Sequence, residues 1–444
     1  MRHLLRILRT LLVVPTVTAL SVAGAGTAAG ALPPAPPPLA ISGNVHLLGG
    51  LPTGPALGIN FRGTNAFATG PDGLTVLDIA SPASPSILAR FPLPHFENED
   101  VDLCGTTLVI TNDREAKDLG SVLYTFDISV PSTPRLASVT PVGLTGSGRG
   151  AGHIANFVTG DCSQLWLDGG DHVEVFDMRN PSAPLSLGKF ESVASQSDAF
   201  RVTHDTERDS KGLLWSVGGG GAAAYKLTRN PLQPKLIAST SAAGMNPSPY
   251  NDFILHNSQR RGNVLLITEE DYVDTDEVPP GGCRGQGKFE TWSLASMTVG
   301  GITPLDTWMT ELNSSDSKAT ASVNCSSHWF DESGGIAAVG WYEQGTRFLD
   351  VSDPRNIRQV GYYLPASGST WAAYWSPTDT SRRIVYTADA YLGVQVLRVD
   401  RTSDPHGMPK LAAPVPSAWF SSTAAYLPSE TWGFSCPYVD VIAA

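Results

Sequence analysis

The sequence predicts an all-β fold, a seven-bladed β-propeller of four-stranded antiparallel blades in which an N-terminal strand closes the last blade. Three observations support this prediction. A strand-and-turn motif recurs seven times, one unit divides into four strands, and the final unit lacks a strand that the N-terminal segment resembles. The motif recurs about every 50 residues, which is typical of a propeller blade and too long for leucine-rich or helical repeats.

The repeated motif is a short aromatic or aliphatic strand that runs into a polar turn. Four copies contain an Asp followed four residues later by a Pro, and they occupy residues 77–82, 126–131, 176–181 and 349–354. Three weaker copies, at 225–227, 292–294 and 397–399, lack the Asp. The Asp side chain is expected to accept hydrogen bonds from backbone N–H groups of the turn, while the Pro fixes φ where no donor is needed. We therefore interpret the motif as structural.

The fourth unit shows the four strands of a blade most clearly. Its strands are expected at residues 199–205, 213–217, 222–227 and 235–239, joined by turns rich in Gly, Asp, Asn and Pro. Four antiparallel strands in this order form a propeller blade. The same pattern places the other blades at residues 57–93, 97–142, 153–192, 251–311, 325–364 and 371–399.

The seventh unit has three good strands and no fourth. Residues 44–50 resemble the fourth strands at 86–91 and 358–363, so we expect the N-terminal strand to complete the last blade. Such closure removes a sheet edge that would otherwise be unpaired. The propeller is thus expected to span residues 44–400.

The segments outside the propeller have their own signatures. Residues 1–31 combine a basic start, an apolar stretch and a run of small residues, which is typical of a secretory signal peptide. An uncleaved anchor helix is the alternative, although the apolar stretch is short for a membrane span. Residues 32–43 are expected to form a Pro-rich extended tail and residues 401–444 a C-terminal extension. The protein is accordingly expected to be secreted, either extracellular or associated with the cell envelope.

The charge balance limits the partners. The chain has a formal net charge of −12, and loss of residues 1–31, with three Arg and no acidic residue, gives −12 − 3 = −15. This charge argues against nucleic acid or an anionic membrane as a partner. It is compatible with a small molecule, a glycan or a protein ligand. The mature protein is expected to have no membrane span and to be a monomer.

Five cysteines follow the export segment, where an oxidising compartment permits disulfides. Cys104 and Cys162 occupy matching turns in neighbouring repeats, so we predict that they pair. Cys283 and Cys325 form the second predicted pair, and Cys436 is left unpaired. Pairing of Cys436 with Cys283 or Cys325 remains the main alternative.

Two of the copies identify a related repeat class. GLTVLDIASP at 73–82 and GTRFLDVSDP at 345–354 resemble the LVIVD repeat of exported bacterial proteins. The resemblance extends over nearly the whole chain beyond residue 44, and it implies a propeller-like fold and an extracytoplasmic location. The LVIVD family has no agreed activity or catalytic residues, so the resemblance assigns no site.

Histidines near the start of inner strands are the strongest candidate for a site. They recur in consecutive blades as His153, His204, His256 and His328, and Asp100, beside Glu99, holds the matching place in the second blade. Inner strands surround the channel, so these side chains should converge near carboxylates at the ends of the second strands: Asp113, Glu115, Asp168, Asp171, Glu269, Glu270, Asp271 and Glu343. Imidazoles with carboxylates suit a divalent transition metal such as zinc, copper, iron or manganese. The alternative is that these polar residues hydrogen-bond to channel water.

An acidic segment and a set of aromatic residues are further candidates for a binding site. The acidic segment 269–277 could bind calcium, but it lacks the glycine of an EF-hand loop, and a solvated acidic loop is the favoured interpretation. Aromatic residues crowd blades six and seven and could stack on a sugar or another small ligand, or could pack between blades. The candidate ligand-binding residues among them are Trp341, Tyr342, Trp371 and Tyr374.

Two functions are compatible with these features. The first is an exported binding or scaffold protein that recognises a ligand at the mouth of the central channel, with a bound divalent metal as an added feature. The second is a metal-dependent oxidase or hydrolase with His204, His256 and His328 as metal ligands and Glu269 or Glu270 as the catalytic base. Propellers support both classes, so the fold cannot decide between them.

Overall fold

The computed structural model describes residues 32–93, 100–112, 121–142, 152–196, 201–240, 253–271, 287–310, 326–401 and 407–412. These residues form β-strands and one short 3-10 helix, Val193–Ser195. In chain order the strands are β1 Pro38–Ile41, β2 Val45–Leu51, β3 Gly58–Arg62, β4 Asn65–Gly70, β5 Gly73–Asp78, β6 Ser86–Pro92, β7 Val101–Cys104, β8 Thr107–Asn112, β9 Ser121–Asp127, β10 Arg135–Val142, β11 Ala155–Phe157, β12 Gln164–Leu167, β13 Val173–Asp177, β14 Leu185–Phe190, β15 Thr203–Arg208, β16 Leu214–Gly218, β17 Gly221–Lys226, β18 Lys235–Ser239, β19 Phe253–Arg261, β20 Val264–Asp271, β21 Phe289–Ser293, β22 Thr303–Trp308, β23 Phe330–Ser333, β24 Ile336–Gly340, β25 Thr346–Asp350, β26 Arg358–Pro365, β27 Thr370–Trp375, β28 Ile384–Asp389 and β29 Gly393–Val399.

The strands pair into seven antiparallel sheets, each a blade; five contain only consecutive strands, and two also include an N-terminal strand. The first strand of each blade contacts the first strands of its two neighbours, in the order β3, β7, β11, β15, β19, β23 and β27. Strand β27 also contacts β3, so the ring is closed. The seven-bladed propeller predicted from the sequence is confirmed, and its channel is surrounded by the first strands.

The last blade is completed from the N-terminus. Strand β2 pairs with β29 in antiparallel register from Val45 opposite Val399 to Leu51 opposite Val394. A second N-terminal strand was not expected, because its segment had been interpreted as an extended tail. Strand β1 pairs with β26 and gives blade six a fifth strand. Its Pro38 is tolerated because the first position of an edge strand does not need a backbone donor.

The hydrophobic core is divided among the interfaces between neighbouring blades. Each of the seven interfaces contains a cluster of buried side chains. Large rings such as Trp166, Trp215 and Trp292 are almost fully buried there. Each blade buries both faces, so the second and third strands are nearly continuous apolar runs, as in β24. This burial removes large areas of apolar surface from water, which is the main driving force for assembly of the ring.

The Asp residues of the repeated motif perform the predicted capping role. The backbone N–H two residues after each Asp donates to its Oδ1, at 2.9 Å for Asp78, 2.8 Å for Asp127, 3.0 Å for Asp177 and 3.0 Å for Asp350. This is the geometry of an Asx turn. The four turns lie between the third and fourth strands of their blades, away from the inner strands.

A disulfide joins Cys104 and Cys162, as predicted, and links blades two and three. Cys283, Cys325 and Cys436 lie outside the described residues, as do the export segment 1–31 and most of the C-terminal extension. The short described part of the extension contacts blade six, where the N–H of Leu411 donates to the carbonyl of Gln359 at 3.0 Å. Among the described residues there is no helix of the length and apolarity needed to cross a membrane.

Candidate metal centre

β-Bulges position two of the four histidines. The register of β15 with β16 shifts between Thr203 and Asp205, and the register of β19 with β20 shifts between Leu255 and Asn257. His204 and His256 therefore occupy the extra positions. A third shift, between Thr370 and Ala372 in β27, places Trp371 in the equivalent position of blade seven. A bulge bends the strand and redirects a side chain, which here turns the imidazoles into the channel.

All four histidines share one register along the inner strands. Each precedes by three residues a polar side chain that lines the channel: Asn156 after His153, Glu207 after His204, Gln259 after His256 and Asp331 after His328. The same spacing assigns the place in blade two to Glu99, which lies outside the described residues, and not to Asp100.

The four imidazoles form a continuous buried arc. The ring centroids are 4.6 Å apart for His153 and His204, 3.9 Å for His204 and His256, and 3.9 Å for His256 and His328. Each histidine is at most 1 % exposed. The Nε2 atoms of His153 and His204 are 2.9 Å apart. We call these four residues the histidine arc.

Backbone carbonyls fix the tautomers of two rings. The Nδ1 of His204 is 2.9 Å from the carbonyl oxygen of His256, and the Nδ1 of His328 is 2.8 Å from that of Trp371. A carbonyl only accepts, so each Nδ1 carries the proton and each Nε2 keeps its lone pair. This arrangement, in which a backbone carbonyl orients an imidazole, is common among histidines that bind metals.

Glu270 adds an oxygen donor to the histidine arc. Its Oε2 lies 3.7 Å from the Nε2 of His256, and its Oε1 accepts a hydrogen bond from the Tyr342 hydroxyl. Tyr342 is held in the left-handed region at a φ of 35°, which is uncommon for a residue other than Gly. Such backbone conformations cluster at functional sites, because the surrounding structure must compensate for their strain.

Electrostatics favour the neutral form of His256. Burial lowers the pKa of His256 well below its usual value, and the neighbouring His204, His328 and His153 lower it further, while a contact with the backbone of His328 opposes the shift. Near His153, burial raises the pKa of Asp168 to about 7. A neutral imidazole has no proton to lose before it binds a metal.

The donor atoms are close enough to share an ion. One ligand atom each from His204, His256 and Glu270 lies within 4.8 Å of the other two, and this is the one such group among the described residues. Ligands about 2.1 Å from a tetrahedral metal lie about 3.4 Å from one another, so binding would draw these atoms together by up to about 1.4 Å. Imidazole nitrogen with carboxylate oxygen suits zinc, iron, copper or manganese.

Other predicted residues lie elsewhere. Glu269 faces away from the arc, because successive strand residues point to opposite faces, and its Oε1 lies 3.2 Å from the Nζ of Lys288. Asp100 lines the channel nearer to Asp205. The structure therefore brings Glu270, and not Glu269, to the histidine arc. Residues 272–277 of the acidic segment lie outside the described part of the chain.

The aromatic residues do not form an exposed platform, because Trp341, Tyr342 and Trp371 are buried. Trp341 packs edge-on against Trp308, at 5.1 Å between centroids. Tyr342 and Trp371 each pack against His328, at 4.9 Å. Tyr374 is half-buried and lines the channel. Contact of these rings with a ligand stays a prediction.

Sequence analysis missed the carboxylates that line the channel beyond the arc. Burial raises the pKa of Asp102 to about 6 and that of Asp331 to about 7. Burial, with the charges of Asp102 and Asp331, raises the pKa of Glu207 to about 7. The polar residue three positions after each histidine was the available signal for two of them, Glu207 and Asp331.

Comparisons with known proteins support the propeller fold and indicate no chemistry. No protein-family model matches the chain, and no curated protein matches it. Solved structures do resemble it. The N-terminal domain of Nup159 has a TM-score of 0.51 at 9 % identity, covering 80 % of this chain and 95 % of that one. The WD40 repeats of RRP9 have a TM-score of 0.50 at 11 % identity, covering 82 % and 99 %.

A third similar structure carries an enzyme name. It is a putative 6-phosphogluconolactonase from Bacteroides fragilis, with a TM-score of 0.51 at 12 % identity, covering 81 % of this chain and 95 % of that one. At such identities the likeness shows the propeller fold alone. Function must therefore be argued from the residues of the site.

Proposed function

We propose that this protein is an exported binding propeller whose ligand is recognised at a divalent transition-metal centre in the central channel. His204, His256 and Glu270 supply the metal ligands, and His153 and His328 flank them. The observation that supports this proposal most is the convergence of the three ligand atoms within 4.8 Å in a fully buried position. Export is supported by the N-terminal segment, by the resemblance to the LVIVD repeat and by the disulfide between Cys104 and Cys162.

The energetics of burial favour a bound ion over a purely structural role. Four imidazoles and a carboxylate are removed from water where apolar side chains of similar size would pack at lower cost. A metal ion offsets that cost, because each lone pair exchanges water for a coordinate bond. The carbonyls that orient His204 and His328 direct their Nε2 lone pairs before any ion binds.

The ligand itself would bind at a coordination position that the protein leaves open. Three protein ligands leave at least one position of a four-coordinate ion for an exogenous group. Tyr342 contacts both Glu270 and the ring of His328, so we expect it to border that position. We therefore expect a ligand with a metal-binding oxygen or nitrogen next to an apolar group that contacts the aromatic rings.

Metal analysis of the purified mature protein tests this function. We expect about one zinc, iron, copper or manganese ion per chain, and loss of that ion in a His256→Ala, His328→Ala double variant. Cobalt substitution should give visible absorption bands typical of mixed nitrogen and oxygen ligation. His172→Ala is the matched control, because this half-exposed histidine pairs with Asp171 outside the arc.

Two results would contradict the proposal. One is a protein that binds no divalent transition metal at micromolar concentrations. The other is equal metal content in the wild type and the double variant, because the ion would then be held elsewhere. Thermal unfolding of both variants shows whether a lost ion reflects lost ligands or a lost fold.

A further inference from the structure

The channel contains a cavity beyond the histidine arc. It has a volume of about 440 Å³, within the usual range for sites that bind small molecules. Of the residues that the structure describes, four carboxylates line it, Asp100, Asp102, Glu207 and Asp331, together with a single guanidinium, that of Arg208. The fully ionised cavity therefore has an excess of negative charge. We call it the acidic cavity.

Aromatic side chains form part of its wall. Phe61, Phe157, Trp329 and Tyr374 all line the cavity. The rings of Phe61 and Tyr374 pack edge-on, with centroids 6.0 Å apart. Carboxylates combined with aromatic rings are the environment that binds organic cations, because the ring faces attract positive charge and also cover methylene groups.

The spacing of the carboxylates argues against a bare metal ion. Among the described residues, the group formed by His204, His256 and Glu270 is the one set of three ionisable ligands whose atoms lie within 4.8 Å of one another. No three of the described cavity carboxylates are therefore close enough together to bind one ion directly. A ligand with several positive charges distributed along a chain fits this spacing.

A buried carboxylate oxygen behind the cavity wall also points to a ligand. Asp205 is fully buried, and its Oδ2 has no hydrogen-bond partner within the described part of the chain. Its Oδ1 accepts a 2.9 Å hydrogen bond from Nδ2 of Asn156, which lines the cavity. Asp205 and Glu207 are two residues apart on one strand and so face the same side. An unsatisfied buried carboxylate oxygen is costly, and an N–H donor from a ligand would satisfy it.

We infer that the acidic cavity binds an aliphatic polyamine, whose ammonium groups pair with Glu207, Asp331 and Asp102 and whose methylene chain lies against the aromatic rings. Several like charges held near one another are stabilised by a polycation, which neutralises them together. This site is separate from the metal centre. Residues three apart on an inner strand place it roughly 10 Å farther along the channel.

Calorimetric titration of the mature protein with spermidine tests the inference. We expect one saturable site for spermidine, weakening with salt, and no binding of 1,8-octanediol, an uncharged chain of similar length. Glu207→Gln keeps the side-chain volume and should weaken spermidine binding at least about tenfold, as should Asp331→Asn. Glu191→Gln is the matched control, because this exposed carboxylate pairs with Arg201 outside the cavity and should leave the affinity unchanged.

Asp331 also accepts a 2.9 Å hydrogen bond from the backbone N–H of Trp375, so its variant could lose stability. If it does not fold, Glu207→Gln and the salt dependence of the wild type decide. The inference is overturned if spermidine does not bind, if Glu207→Gln binds it as tightly as the wild type, or if Mg²⁺ competes with equal affinity. A His256→Ala variant that has lost its metal and still binds spermidine separates this site from the metal centre.

Discussion

The histidine arc and the acidic cavity are built from the same inner strands and differ in chemistry. The arc presents imidazole nitrogens close enough to share an ion, whereas the cavity presents carboxylates spread around a wider space. In a regular strand, residues three apart face opposite sides. The bulges at His204 and His256 add one residue, so that residues three apart both face the channel. In these two strands a single irregularity thus places two chemically distinct side chains, a histidine and the polar residue three positions later, at different depths, or levels, of the channel.

Removal of metal should have the largest effect on thermal stability, and this effect should depend on the histidine arc alone. A ligand present at a thousand times its dissociation constant stabilises a protein by about 4 kcal/mol. We therefore expect a chelator to lower the melting temperature of metal-loaded wild type by several degrees and to leave His256→Ala unchanged. Scanning calorimetry with and without chelator measures the difference. If the chelator destabilises both proteins equally, the arc is not the metal centre.

The carboxylates of the acidic cavity should make the stability of the protein depend on pH. Its raised folded-state pKa values mean that Glu207 and Asp331 keep their protons up to about pH 7, whereas the unfolded chain loses them near pH 4. Their contribution is therefore present below about pH 4 and is lost as the pH rises to 7. The Glu207→Gln variant has no such proton to lose. Between pH 4 and pH 7 its free energy of unfolding should therefore rise by about 2 kcal/mol relative to that of the wild type, a figure that allows for water in the channel.

Denaturant unfolding of both proteins at pH 4 and at pH 7.5 measures this gain. The Glu191→Gln control should show none, because Glu191 is exposed and paired with Arg201. A constant difference between wild type and Glu207→Gln at the two pH values would mean that water solvates the cavity carboxylates as freely as it does the surface.

Substitution of Tyr342 tests how strongly metal binding at the histidine arc depends on an outer hydrogen bond. Its hydroxyl donates to Glu270, and outer partners of this kind commonly change metal affinity ten- to a hundredfold. Tyr342→Phe removes the hydroxyl and keeps the ring against His328. We expect metal affinity to fall about tenfold while spermidine affinity stays constant, as measured by competition with a chelating dye and by calorimetry. An equal loss at both sites would indicate a general disturbance of the channel.

The fold could be predicted from sequence because its signals are local and repeated. The conformation of a turn such as 349–354 can be predicted from its own residues, because the capping Asp350 and the N–H group of Ser352 that it binds are only two residues apart. The closing strand β2 was found because it resembles other fourth strands. Strand β1 was not found, because no repeated copy shows that an edge can accept a fifth strand.

The site could be predicted only in part because bulges are not visible in a hydrophobic pattern. Histidines in consecutive blades indicated a convergent cluster, but the choice between Glu269 and Glu270 depends on which face each residue takes. That choice changes with every residue of register. The acidic cavity was missed for the same reason, because Asp102, Glu207 and Asp331 come together only when the ring of inner strands has closed.

The smallest predicted effect concerns a residue remote from both levels. Asp350 caps the turn after β25, accepts from Ser352 and pairs with Arg358. Burial alone would raise the pKa of Asp350, but these hydrogen bonds outweigh it and hold the pKa below its usual value. Its contribution to the stability of the fold is thus present above about pH 4 and is lost as the pH falls, which is the opposite sign to that of the cavity carboxylates.

The Asp350→Asn substitution keeps an acceptor for Ser352. It should lower the free energy of unfolding by about 1 kcal/mol at pH 7 and by less at pH 3, with metal and spermidine affinities unchanged. A shift in either affinity would show that the outer turns and the channel are coupled, and the two levels could then no longer be treated as local properties of the inner strands.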